Sequence, residues 1–151
     1  MENEHLETFK AVAQGKGWPT AVTITDTEWK LQLDEPVDEG GSNSGANPMQ
    51  YFIASLVGCQ NEQAQVVAEE LSLTINQIDI NAEIDLDLSG FMGMADNSNG
   101  SYKSVRLVTK VSGDVTSDQV NALGQKVDAR CPILGLLRAS GCKIESSWSK
   151  S

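Results

Sequence analysis

Cys59 and Cys131 are the residues of this chain best suited to chemistry. Cys59 ends the apolar run Asn47-Pro-Met-Gln-Tyr-Phe-Ile-Ala-Ser-Leu-Val-Gly-Cys59, which reads as helix, and Cys131 opens a short helix in Arg130-Cys-Pro-Ile-Leu134. A thiol in apolar surroundings resists ionisation, and Glu62 close behind Cys59 adds to that resistance. A thiol at a helix start beside an arginine is drawn toward thiolate by the positive helix end and the guanidinium. Local physics therefore makes Cys131 the better activated of the two, with Arg130 as its electrostatic support. Together they would form a two-cysteine redox site, but they lie 72 positions apart and spacing alone does not establish that they meet. Taken singly, a buried helical cysteine is a small packing hydrophobe, and that reading is kept for Cys142.

The other chemistries have few residues to work with. The single histidine, His5, lies near the start of the sequence, so Ser-His-Asp or Cys-His catalysis and histidine metal sites lack their base or ligand. The three cysteines show no Cys-x-x-Cys spacing, and no phosphate-binding or dinucleotide fingerprint is present; Gly40-Gly41 and the pair Gly90 and Gly93 read as turns. No metal and no cofactor are expected. With 11 basic against 21 acidic residues and a formal charge of −10, nucleic acid and anionic membrane are excluded as partners. The acidic opening Met1-Glu-Asn-Glu-His5 has no apolar core, and no stretch reaches the ~20 apolar residues of a membrane span. An odd number of unpatterned cysteines without a secretory signal fits the cytoplasm.

The elements that must position these thiols follow from periodicity and punctuation. Strands are expected over 8–13, 21–25 and 28–33, forming an antiparallel meander, and a loop rich in Gly, Ser and Asn over 34–47. Asn47-Pro48 starts a helix running to Leu71, with Asn as cap and Pro at the first position. Its segment from Tyr51 to Val57 is apolar nearly all round, which predicts burial on every side, and after Cys59 the helix turns polar and keeps an apolar stripe at Ala64, Val67, Ala68 and Leu71. Ile78, Ile80, Ala82, Ile84, Leu86 and Leu88 alternate with acidic and amide residues in a half-exposed strand over 75–88. A turn over 90–100, a strand over 102–112, a helix opened by the capping box Thr116-Ser-Asp-Gln119, a helix from Pro132 and a strand over 143–148 complete the order βββ-α-ββ-α-α-β. That order defines one α+β domain over 1–151.

The helix Asn47-Pro-…-Cys59, the strand and turn Leu86-Asp-Leu-Ser-Gly-Phe-Met-Gly93 and the motif Ala129-Arg-Cys-Pro-Ile133 resemble the OsmC/Ohr family of osmotically inducible and organic hydroperoxide resistance proteins, in order over nearly the whole chain. The resemblance implies an intertwined homodimer in which antiparallel sheets pack around a long central helix. It implies thiol-dependent reduction of organic hydroperoxides, with Cys59 as peroxidatic nucleophile, Cys131 as resolving thiol and an external dithiol as reductant. Met49, Phe52 and Leu56 would then line an apolar substrate pocket. Two positions depart from the family pattern: Met49 stands where peroxidases of the family carry Glu, and no Arg precedes Arg106. Those departures define the alternative, a non-peroxidatic family member that holds an apolar small molecule or electrophile at the dimer interface.

Overall fold

Short alternating stretches of β-formers open the chain as an antiparallel meander of β1 (Ala11–Gln14), β2 (Thr20–Ile24) and β3 (Lys30–Leu33), with Ala11 opposite Ile24 and Thr20 opposite Leu33. The computed structural model describes residues 5–94 and 100–151, so residues 1–4 and most of the turn expected over 96–100 lie outside the described residues. The chain divides into two compact units, Met1–Phe52 and Ile53–Ser151. No residue of β1, β2 or β3 is fully buried.

The loop after β3 is ordered by one carboxylate. Asp34 is 0% exposed, and its Oδ2 accepts from Ser42 N (3.1 Å), Ser42 Oγ (2.6 Å), Ser44 N (2.9 Å) and Ser44 Oγ (2.7 Å). Its Oδ1 takes the Glu35 N–H at 2.9 Å. A Cβ at position 41 would lie 1.9 Å from the Glu35 carbonyl oxygen and one at position 45 would lie 2.2 Å from that of Gln32, so the loop requires Gly41 and Gly45. These glycines do more than the turn duty expected of them.

Helix α1 (Pro48–Glu70) starts as its sequence predicts. Asn47 Oδ1 accepts from Gln50 N and Gln50 Oε1 accepts from Asn47 N, both at 2.9 Å, a reciprocal cap that satisfies otherwise orphaned donors. The burial pattern along α1 corrects the expectation. Its buried residues are Leu56, Gln60, Ala64, Val67 and Ala68, while Ala54 and Ser55 are exposed. The apolar start is thus not covered on every side by this chain, and the stripe expected at Ala64, Val67 and Ala68 is buried, with Leu71 half-buried at its end. Hydrophobicity predicts that a face will be covered but does not name the element that covers it. Here the valines and leucine of α2 and β5 meet the later turns.

In the second unit, β4 (Thr74–Asp87) pairs antiparallel with β5 (Ser101–Asp114), and β5 pairs parallel with β6 (Lys143–Lys150), giving the order β4-β5-β6. This sheet is mixed, which corrects the all-antiparallel expectation. Helices α2 (Ser117–Arg130) and α3 (Pro132–Ala139) form the crossover that a parallel neighbour requires. The capping box at Thr116 and Gln119 is present. Ala64, Val67 and Ala68 of α1 join Val111, Val115, Val120, Leu123 and Val127 in one core cluster. Trp148 of β6 lies flat against Gly124 of α2, where a Cβ would come 2.3 Å from the indole, and its Nε1 reaches Asp128 Oδ1 at 3.4 Å. On the exposed face of β4 and β5, Arg106 bonds Glu83 and Asp85 across strands. Among the described residues no helix is long and apolar enough to cross a membrane.

Candidate active site

The buried seam of α1 fixes where Cys59 points. It precedes Gln60 of the seam and stays partly accessible. Cys131 occupies the joint between two helices. Its N–H bonds Val127 O at 3.0 Å and closes α2, while its extended backbone (φ −64°, ψ 113°) caps α3 ahead of Pro132. Cys131 is 1% exposed, and its Sγ accepts the Leu134 N–H at 3.4 Å, as a serine or aspartate oxygen does in an ordinary cap. The two elements bring the thiols together: Cys131 Sγ donates to Cys59 Sγ across 3.0 Å, and both are free cysteines.

The environment of Cys59 opposes its ionisation. Its pKa is pushed up to about 12, first by burial, then by the hydrogen bond and charge of Cys131, with Glu62 adding to the effect. The Ile133 backbone acts the other way. Arg130, expected to support the thiols, has a different partner. Its guanidinium clasps Glu70 with bonds of 2.7 and 2.8 Å, tying the end of α2 to the end of α1 and lowering the Glu70 carboxyl. A bidentate match between planar groups outcompetes the diffuse attraction of a thiol. Cys142 is buried, its Sγ donates to the Lys143 carbonyl at 3.8 Å, and burial, with the Asp85 charge adding, raises its pKa.

The remaining candidates are less closely gathered. Leu56 is 0% exposed and belongs to the seam; Phe52 is half-buried and Met49 is 39% exposed, both in the first unit. Two cavities flank α1 in the second unit. One of about 270 Å³ is lined by Ile53, Ala54, Val57, Ile80, Asn81 and Ala82. The other, of about 430 Å³, lies between Val66, Ala68, Leu73 and Ile75. Met49, Phe52 and Leu56 line neither. Among the described residues no group of three or more His, Cys, Asp or Glu is placed to hold a metal ion.

Sequence reasoning passed over two features next to the thiols in the chain. One is the Ile133 backbone, because a main-chain group leaves no trace in residue type, although Pro132 does mark the helix start. The other is Gln60, 1% exposed with its Nε2 unpaired among the described residues. Its position four residues after Leu56 and four before Ala64 places it on the seam, and that spacing is readable.

A helix-borne thiol facing a thiol at a helix joint, on this α+β framework, defines a class of cysteine-pair proteins. The model of the OsmC-like protein family matches residues 41–147, and the chain belongs to that family. Solved structures agree on the fold. An organic hydroperoxide resistance protein OsmC from Legionella pneumophila is 24% identical with a TM-score of 0.76, the match covering 98% of this chain and 99% of that one. An OsmC-like protein from Mycoplasma pneumoniae is 15% identical with a TM-score of 0.81, covering 95% and 97%. The organic hydroperoxide resistance protein OhrB of Bacillus subtilis is 22% identical with a TM-score of 0.64, covering 96% and 98%. No curated protein matches the chain.

Proposed function

We propose that this protein is a thiol-dependent peroxidase that reduces organic hydroperoxides through Cys59 and Cys131. The observation that carries the reading is the 3.0 Å approach of two reduced sulfurs, one partly accessible and one buried behind it. The Cys59 thiolate attacks the terminal peroxide oxygen, the O–O bond breaks, and the alcohol leaves with the proton that the thiol gave up. Cys59 is then a sulfenic acid. Cys131 displaces its hydroxyl as water and forms the disulfide, so two thiols and one hydroperoxide become a disulfide, an alcohol and water. An external dithiol returns both cysteines to the reduced state.

The names of the Legionella and Bacillus relatives point to the same substrate class. The apolar turns of α1 before Cys59 suit a fatty or aromatic hydroperoxide better than hydrogen peroxide. A homodimer belongs to this reading. Within the second unit, the exposed Ala54 and the half-exposed row Ile80, Ala82, Ile84 and Leu86 leave apolar surface for a second copy to cover. Free cysteines fit the reducing cytoplasm.

One observation favours the second reading, an OsmC-like protein that binds an apolar molecule or electrophile without peroxidase turnover: Cys59 is held toward its neutral form, and the nearby Arg130 is engaged elsewhere. Intact-mass spectrometry after one equivalent of cumene hydroperoxide decides between them. A peroxidase loses about 2 Da as the disulfide closes, and Cys59→Ser abolishes that loss. Both thiols remaining free in excess oxidant would establish the binding reading instead.

A further inference from the structure

Two free thiols whose sulfurs lie 3.0 Å apart are a chelate as well as a redox pair. Which atom they would share follows from the distance and from the ligands around them. Among the described residues no third His, Cys, Asp or Glu joins them to complete a metal site. Zinc takes four ligands, and at ~2.3 Å per bond its tetrahedral angle sets two sulfurs about 3.8 Å apart. A linear ion with bonds of that length would need them about 4.6 Å apart. A three-coordinate centre with valence angles of about 90° and the same bonds needs only about 3.3 Å. Trivalent arsenic is such a centre: pyramidal, thiophilic and able to bring its third substituent with it. The pair is also held in place. The Leu134 N–H fixes Cys131 Sγ at 3.4 Å and α1 carries Cys59, so little freedom is lost when a ligand bridges them.

Each cysteine has a helical glycine beside it. Gly58 precedes Cys59, and Gly135, whose N–H bonds Cys131 O at 2.9 Å, lies one turn into α3. Neither has a left-handed φ, and among the described residues a Cβ at either would meet no atom of another element within 4 Å. Glycine weakens a helix, and neither a turn nor close packing within this chain calls for it here. Both positions leave room next to a thiol.

We propose that Cys59 and Cys131 form a binding site for trivalent arsenicals, with arsenic bridging the two sulfurs and its organic group in the space beside Gly135. Each thiol condenses with one As–OH group: two As–S bonds form, two As–O bonds break, and each thiol proton leaves with hydroxyl as water. Arsenic stays trivalent, so no oxidant or reductant takes part. The reaction starts from thiols, and the burial that keeps Cys59 protonated does not bar it. The site is independent of hydroperoxide turnover.

The probe is phenylarsine oxide, added in slight excess to the reduced protein and read by intact-mass spectrometry. The parent should gain one phenylarsenic group in place of two thiol hydrogens, and Cys142→Ala should do the same. Excess mercaptoethanol, a monothiol, should leave that adduct in place, whereas dithiothreitol should strip it. Cys131→Ser keeps an oxygen to cap α3, so the fold survives. Its retention of the arsenical against mercaptoethanol should fall by about a hundredfold, because one sulfur replaces a chelate. A parent protein that stays unmodified overturns the proposal, as does a parent adduct that mercaptoethanol removes as readily as from Cys131→Ser. Gly135→Leu fills the open space on a helix that tolerates leucine, and retention should fall by about tenfold. Retention equal to the parent's would overturn the placement of the organic group. No arm contains hydroperoxide, so failure here leaves the peroxidase reading standing, and absence of peroxide reduction leaves this site standing.

Discussion

Asp34 and Gln60 are both polar side chains taken out of water, at 0% and 1% exposure, and the fold treats them in opposite ways. Five donors converge on the Asp34 carboxylate and hold its pKa well below the usual carboxylate range, the Ser42 hydroxyl first among them. Gln60 has an amide nitrogen with no partner among the described residues, and beside it stands Cys59, whose thiol is held in its neutral form. A buried polar group with its bonds made in this way fixes a loop. Polar groups left short of partners cost stability, and they concentrate where charge must appear and disappear during a reaction.

Breaking the thiol pair should have the largest effect. Cys131→Ser leaves Cys59 able to react once, so dimedone should trap a sulfenic acid on the first equivalent of hydroperoxide. Steady turnover with dithiol should fall by about a hundredfold or more. Breaking the satisfied site comes next. Asp34→Asn turns one acceptor into a donor facing Ser42 or Ser44, and thermal unfolding at pH 7 should drop by roughly 5 °C or more. The pH dependence follows from the sign of the shift. A carboxyl depressed in the folded state stabilises above its unfolded pKa of about 3.9, and that stability is lost as pH falls below this value. The parent melting temperature should therefore decline below about pH 4, and the Asn variant should show a shallower decline.

The comparison sharpens at Gln60, where the sign should reverse. Gln60→Leu removes an unpaired amide and keeps the volume, so urea unfolding should show no loss and a gain of up to about 1 kcal/mol. A loss of that size would mean that the amide has a partner in solution. The smallest effect belongs to Arg130. Its exposed pair with Glu70 is separate from the sulfurs, and Arg130→Gln should leave the Cys59 alkylation rate within about twofold.

Local signals in the sequence were read correctly, and long-range choices were not. The caps at Asn47 and Thr116 and the alternation of β4 depend on residues within a few positions of one another. Strand propensity at 143–148 marks a strand but not its neighbour, so the parallel pairing with β5 stayed hidden. The apolar start of α1 carries a burial signal without a partner attached, whereas the stripe Ala64, Val67 and Ala68 lies on the face that meets α2 and β5. The meeting of Cys59 with Cys131 came from family resemblance, because 72 residues of spacing hold no distance information. The composition around Asp34 marks a loop, and Ser42 and Ser44 are spaced to reach one carboxylate only once that loop folds back. Adjacency to Cys131 suggests a role for Arg130 there, but its planar group matches Glu70, 60 positions away.

The indole of Trp148 rests on Gly124 in the unit that carries both sulfurs, whereas Trp18 and Trp29 stand 44% and 73% exposed in the other unit. Three tryptophans therefore emit from two kinds of surroundings. With Phe at positions 18 and 29, the emission wavelength becomes an optical gauge of the cysteine-bearing half alone, readable during oxidation without any attached dye.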